Sequence, residues 1–491
     1  MSEAPRIRLL DVERYERDVA LRLPFRFGIT TITHAAQAVL RVWIALEDGR
    51  TETGTAAESL GAKWFDKNPA LTDAQNHDQL RQSLSLAEEL YRARGLATPF
   101  ALFADTYPDQ MRRAEALGLN PLIASYGPAL LERAVLDALG RALGVSFPEM
   151  IGRNLADLGP TPVAPDLDGF DLPAFLATLR LGSSIAVRHT VGLVDPIVAS
   201  DQPPGERVND GLPETLEEVA RYYRGRFYKL KVMGDVAADL DRLTRIAAVL
   251  DREAGDYRVT LDGNEQYEDV EGIAELWRRM AETPALRRLV AATLYIEQPI
   301  KRSVALSRSV EALARERPLI IDESDGEVSA FPTALALGYT GVSSKLCKGL
   351  YKSILNAARA AMLNRDAERP RAFLSGEDLT VWPGVALQQD TALVSLLGLD
   401  HVERNAHHFI DGMSFAPASE QDAFLAAHPT LYERPPSGPV RLRIREGRIA
   451  TASLACPGFA VGAPLAFAAM RPMPAAPRER IGAPEPLGAP A

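Results

Sequence analysis

Between residues 184 and 405 the chain repeats one pattern eight times: a short apolar run, then a polar break. The runs are SIAVRHT, FYKLKV, RVTLD, TLYIEQ, PLIIDE, GVSSKL, RAFLSG and HVERN. Stretches with apolar residues three and four apart lie between them, among them LPETLEEVARYYRG, VEGIAELWRRM, SVALSRSVEALARE, LYKSILNAARAAML and PGVALQQDTALVSLLG. Short strands apolar on both faces need cover on both faces, which crossover helices supply. Eight such units predict an α/β chain closed into a (β/α)₈ barrel, a TIM barrel.

The flanking segments read differently. Residues 7–47 are rich in Val, Leu, Ile and Trp and end on the turn pair Asp48-Gly49, which predicts antiparallel sheet. Helical spacing follows over 72–93 and 127–143. The predicted division is therefore an α+β capping domain at 1–160, the barrel at 161–412, and a return segment at 413–470 that carries a late hairpin, VRLRIREGRIATASL. A Pro- and Ala-rich tail at 471–491 is expected to be disordered.

Charge and cysteine content exclude several classes of function. With 55 Lys plus Arg against 65 Asp plus Glu, the net charge is −10, which repels a phosphate backbone and argues against nucleic acid as a partner. Cys347 and Cys456 alone provide neither a disulfide framework nor a zinc motif, so a reducing, cytoplasmic setting is expected. No apolar run approaches the roughly 18 residues of a membrane span, so no membrane partner is expected.

In a barrel of this kind the C-terminal strand ends form the functional face. Here they are ionisable: Lys229 and Lys231 from the second run, Asp262 and Asn264 from the third, Glu297 from the fourth, Asp322 and Glu323 from the fifth, Lys345 from the sixth and Glu403 from the eighth. Three acids ending three successive strands repel one another unless a cation joins them. Hard oxygen ligands without His or Cys suit Mg²⁺ or Mn²⁺ better than zinc. Lys229 and Lys231 are two apart and face the same way, and crowding two ammonium groups beside a cation is expected to depress one pKa toward neutrality. Lys345, on the sixth strand, lies roughly across the barrel from Lys231.

The order Lys-x-Lys, Asp, Glu, Asp, Lys on strands two to six resembles the muconate lactonizing enzyme-like subgroup of the enolase superfamily, also called the mandelate racemase/muconate lactonizing enzyme family. The resemblance extends over nearly the whole chain, with PFRFG and ESLGAKWFDK similar to its two mobile specificity loops. It implies Mg²⁺ ligation by Asp262, Glu297 and Asp322, an acid/base pair of Lys231 and Lys345, and Lys229 as electrostatic helper. It further implies a small-molecule carboxylate substrate, with Asn264, Glu403, Lys348 and Lys63 as candidate contacts, and a homo-oligomer. The reaction would be racemisation or epimerisation, cycloisomerisation, or β-elimination.

Two departures narrow this. Dipeptide epimerases of the superfamily carry Asp-x-Asp on strand eight, where this chain has HVERNAHH; dehydratases and mandelate racemase pair a strand-seven His with a strand-six Asp, where this chain has FLSGED and Lys345. Glu377, Asp378, His407 and His408 are further pocket candidates. Rival readings are a Schiff-base aldolase using Lys345 and a non-catalytic binding protein that keeps the barrel.

Overall fold

A computed structural model describes residues 4–27, 30–159, 161–203, 205–436 and 438–481. Three antiparallel strands, β1 (Ile7–Phe27), β2 (Thr30–Leu46) and β3 (Thr51–Ser59), form the first sheet in the order β1-β2-β3. A short helix α1 (Ala62–Phe65) leads into a layer of three long ones, α2 (Asp73–Arg94), α3 (Pro99–Ala116) and α4 (Pro121–Leu143). Local sequence sets their starts. Thr72 and Gln75 make a reciprocal capping box on α2, and Asn120 accepts from Ile123 N at 3.0 Å with Pro121 in the first turn of α4. The α4 helix lies directly on the sheet: a Cβ at Gly54 of β3 would stand 2.1 Å from Ala134 O.

All eight expected barrel strands form: β4 (Ser184–Val191), β5 (Phe227–Lys231), β6 (Arg258–Asp262), β7 (Thr293–Glu297), β8 (Leu319–Ile321), β9 (Gly341–Ser344), β10 (Phe373–Gly376) and β11 (His401–Arg404). Neighbours pair in parallel, and β11 pairs with β4, His401 opposite Ala186 through Arg404 opposite His189, which closes the barrel. The outer helices bury one stripe each; in Val270–Glu282 it is Ile273, Leu276, Trp277 and Met280. Residues 303–316, read as one helix, form instead two short pieces, Arg302–Ala305 and Glu311–Ala314. The chain between them turns so that Val310 N can donate to Leu337 O.

The return segment serves both domains. Its hairpin, bridged at Arg445 and Arg448, adds Arg448–Ala450 antiparallel to β4 of the barrel, and not to the capping sheet. The capping domain is reached afterwards, by Phe459 N donating to Asp137 and by Arg471–Pro472 pairing with β1 at Glu16 and Tyr15. The start of the expected tail is thus a strand. Residues 482–491 of that tail, and 28–29 between β1 and β2, lie outside the described residues. No helix among the described residues is long and apolar enough to cross a membrane.

Candidate active site

Parallel register places the ionisable residues at one height. Lys231 stands opposite Asp262, and Asp262 opposite Glu297. Lys229 opposes Thr260 two residues deeper, so its ammonium rises into the barrel axis among the acids. There it donates to Glu297 Oε1 and Glu377 Oε2 at 2.8 Å and to Glu403 Oε2 at 3.0 Å, with Asp262 Oδ2 at 2.8 Å. Lys231 donates to Asp262 Oδ2 and Asn264 Oδ1, each at 2.6 Å. Lys345 donates to Asp322 Oδ2 at 2.6 Å, and its ammonium lies 4.3 Å from the centre of the Trp64 ring.

Electrostatics follow from this arrangement. Burial favours a neutral Lys229, but Asp262, Glu297, Glu377 and Glu403 together outweigh it and hold its pKa well above the ordinary lysine value. The depression expected from the Lys-x-Lys pair is therefore absent at Lys229, because four carboxylates surround one ammonium. Burial is also opposed and overcome at Lys345, raised by Asp322, and at Asp322, lowered by Lys345 and Lys348. Glu297 goes the other way: burial, then Asp262 and Glu377, push its pKa well up.

Glu297 Oε2 makes no hydrogen bond although the Lys229 ammonium is 2.8 Å away, and Glu323 Oε2 makes none either. Buried carboxylate oxygens without partners, on strand ends that offer only oxygen donors, fit a hard divalent cation. Among the described residues no three such side chains already stand in a metal-ligating arrangement, since ammonium groups bridge them: Lys229 joins Asp262 to Glu297, while Lys345 and Lys348 take Asp322.

Above these residues lies a cavity of about 290 Å³, walled by both domains. Lys229, Lys231, Asn264, Lys345, Asp378, Glu403 and Asn405 line its barrel side. Its roof carries Phe25, Ile32 and His34 from β1 and β2, Lys63 and Trp64 from α1, and His77 from α2. Of the proposed substrate contacts, Asn264, Glu403 and Lys63 line it, though Lys63 is engaged by Leu71 O at 2.5 Å. Lys348 does not line it. Its ammonium sits behind Asp322, 3.0 Å from Asp325 Oδ2, and serves as a counter-ion beneath the site. Glu377 lies deeper still, held by Arg188 and by Tyr295 at 2.9 Å. His407 and His408 pack against His189, outside the cavity. Trp382 and Leu379, cavity residues not anticipated from sequence, follow strand seven in a loop without a strand or helix signal.

Eight parallel strands, a capping sheet and helices made from the N-terminal region, and a cavity between the two are one architecture. The fold is that of the enolase superfamily. Among solved structures, the chain is similar to an enolase from Bradyrhizobium complexed with magnesium and mandelic acid (15% identity, TM-score 0.58, covering 94% of this chain and 97% of that one). It is likewise similar to muconate lactonizing enzyme from Pseudomonas fluorescens complexed with muconolactone (18%, TM-score 0.55, 94% and 98%) and to 2-chloromuconate cycloisomerase from Rhodococcus opacus 1CP (16%, TM-score 0.57, 93% and 97%). No family model and no curated protein matches the sequence. The enolase-superfamily likeness therefore rests on the shape of the chain together with the strand-end residues.

Proposed function

We propose that this chain is an enzyme that removes the proton from the carbon next to a substrate carboxylate, with Lys231 and Lys345 as the proton-transferring groups. The observation that carries the reading is that these two lysines, from β5 and β9 on different sides of the barrel, both line one cavity, and each is hydrogen-bonded to a strand-end acid behind it, Lys231 to Asp262 and Lys345 to Asp322. Mg²⁺, or Mn²⁺, held by Asp262, Glu297 and Asp322 would supply positive charge that offsets the negative charge gathered on the carboxylate when the proton leaves.

The residues divide the remaining work. Lys345, kept protonated by Asp322 and covered by Trp64, is set to donate a proton from its side of the cavity. Lys231, between Asp262 and Asn264, faces the substrate from the other. Lys229 neutralises the inner acids and also lines the barrel side of the cavity. Phe25, Ile32, Trp64 and Trp382 exclude water and suit an apolar body on the acid. The outcome is racemisation or epimerisation, cycloisomerisation, or β-elimination according to what the substrate carries beyond its α-carbon. A Schiff-base aldolase using Lys345 would need no cation, so turnover that survives a chelator would favour that reading instead.

The test is to incubate the protein with a library of carboxylic acids in D₂O containing Mg²⁺ and follow the α-proton by NMR. Deuterium should enter the α-carbon of accepted acids, and chelation should stop it. Turnover of an acid with no α-exchange and no response to chelator would overturn the reading.

A further inference from the structure

The stretch that roofs the cavity is tied to the barrel around the Glu265 carboxylate, with Lys67 also 3.7 Å from Glu323 Oε1. Arg302, which opens the short helix after β7, donates from Nη1 to Phe65 O at 2.8 Å and from Nη2 to Trp64 O at 2.9 Å. The same guanidinium forks onto Glu265, Nε to Oε1 at 2.7 Å and Nη2 to Oε2 at 2.8 Å. Lys67, at the end of the stretch, stands 2.6 Å from Glu265 Oε2 and donates to Asn264 O at 2.7 Å. Glu265 thus gathers two cations that between them hold residues 64–67.

Both sides of this junction reach a lysine of the site. On the cap side, α1 presents the Trp64 ring to the Lys345 ammonium. On the barrel side, Asn264 receives Lys231 on Oδ1 and donates to Glu323 Oε1 at 3.1 Å. Asn264 and Glu265 hold φ of +40° and +69°, left-handed values that side chains adopt at a cost, so the backbone that aims Asn264 depends on contacts that hold it there. Lys67 on Asn264 O and the fork on Glu265 hold it from the cap side, while Asn264 N on Asp262 Oδ1 at 2.8 Å, Gln266 Nε2 on Asn264 O at 3.1 Å and Glu265 N on Gln298 O at 2.9 Å hold it within the barrel.

We propose that Glu265 is a positioning residue: by gathering Arg302 and Lys67 it seats residues 62–68 on the barrel, covering Lys345 with Trp64 and holding Asn264 against Lys231. The importance of the two lysines rests on the proton-transfer reading above, whereas the seating does not. The latch grips main-chain carbonyls of Trp64 and Phe65, so it fixes where position 64 sits without specifying which side chain it carries. Arg302 is not replaceable by lysine in this role, because one ammonium cannot span a carboxylate and two carbonyls in a plane.

The experiment uses the full chain and two readouts that involve neither substrate nor turnover: hydrogen exchange of peptides spanning 61–68, and the rate of Lys345 acetylation by an N-hydroxysuccinimide ester, both by mass spectrometry. Glu265→Ala should raise exchange of 61–68 by at least about tenfold and accelerate Lys345 acetylation several-fold. Trp64→Ala should accelerate acetylation with little change in exchange, and Trp64→Phe, which keeps a ring there, should restore the slow rate. Glu265→Gln and Lys67→Met, which conserve most of the shape, should move both readouts in the direction of Glu265→Ala and serve if that variant folds poorly. Unchanged exchange in the Glu265 and Lys67 variants, or a freed loop with Lys345 still protected, would overturn the proposal. Neither result bears on whether α-protons exchange, so the two readings fail separately.

Discussion

The Lys229 ammonium lies 2.8 Å from Glu377 Oε2, joining the second barrel strand to the loop that follows the seventh through the centre of the barrel. Around that pair stand Asp262, Glu297 and Glu403, all within 3.0 Å of the same nitrogen. Removing it leaves buried carboxylates without a counter-charge. Lys229→Met should therefore lower unfolding free energy by about 3–5 kcal/mol in urea titrations, the cost of breaking a buried pair on one side, and added Mg²⁺ should restore part of the loss. A change under about 1 kcal/mol would show that Lys229 is not the internal cation of the barrel.

The two cavity lysines should separate by face. With an accepted substrate in D₂O, Lys231→Ala should abolish α-exchange from one stereoisomer and Lys345→Ala from the other, each by about 10²–10⁴-fold. Near wild-type exchange in both variants would remove these residues from the proton path even if a metal binds.

Metal affinity reads the three strand-end acids directly. Calorimetric titration should give one Mg²⁺ per chain, with binding weakened strongly in Asp262→Asn and Glu297→Gln. Undiminished affinity in both would mean that the ion, if bound, sits elsewhere.

Dipeptides should be poor substrates. Glu403, where an amino-group clamp would stand, already receives Thr190 on Oε1 at 2.5 Å, Asn405 at 3.1 Å, Lys229 at 3.0 Å and Asp378 N at 2.9 Å. Efficient epimerisation of L,L-dipeptides would show that some of these bonds yield to substrate.

Acid should destabilise the chain through its buried histidines. His189 stands 5.4 Å from His407 and 5.0 Å from His408, ring centre to ring centre. Burial, opposed by Glu403, pushes the His189 pKa down from 6.5 to about 3; burial and the neighbouring rings take His407 and His408 well below their usual value. The folded chain therefore refuses protons that the unfolded chain accepts below pH 6.5. Stability is unaffected by these groups above that pH and falls as pH drops toward about 3, by up to about 1.4 kcal/mol per pH unit for each histidine. Urea titrations at several pH values between 7 and 4 should give a shallower slope for His189→Gln, by about one proton. Equal slopes would mean that His189 titrates alike in both states.

Periodicity alone determined much of this protein. Eight apolar runs fixed eight strands, and because side chains alternate along a strand, the acids and lysines at the run ends had to share the barrel mouth. Thr72 and Gln75 likewise marked the start of α2 in the sequence itself. Other features depended on packing between segments far apart in the chain. Lys348 has the same residue type and nearly the same position as Lys345, yet it sits beneath Asp322 because the turn Leu346–Lys348 points it inward. One lysine of the Lys229–Lys231 pair was expected to lose basicity, whereas at Lys229 the convergence of Asp262, Glu297, Glu377 and Glu403 from four parts of the chain outweighs burial and raises it. Glu265, Arg302 and Lys67 carried no motif at all. Their meeting is set by how the capping domain lies on the barrel, and a short-range pattern holds no record of that long-range contact.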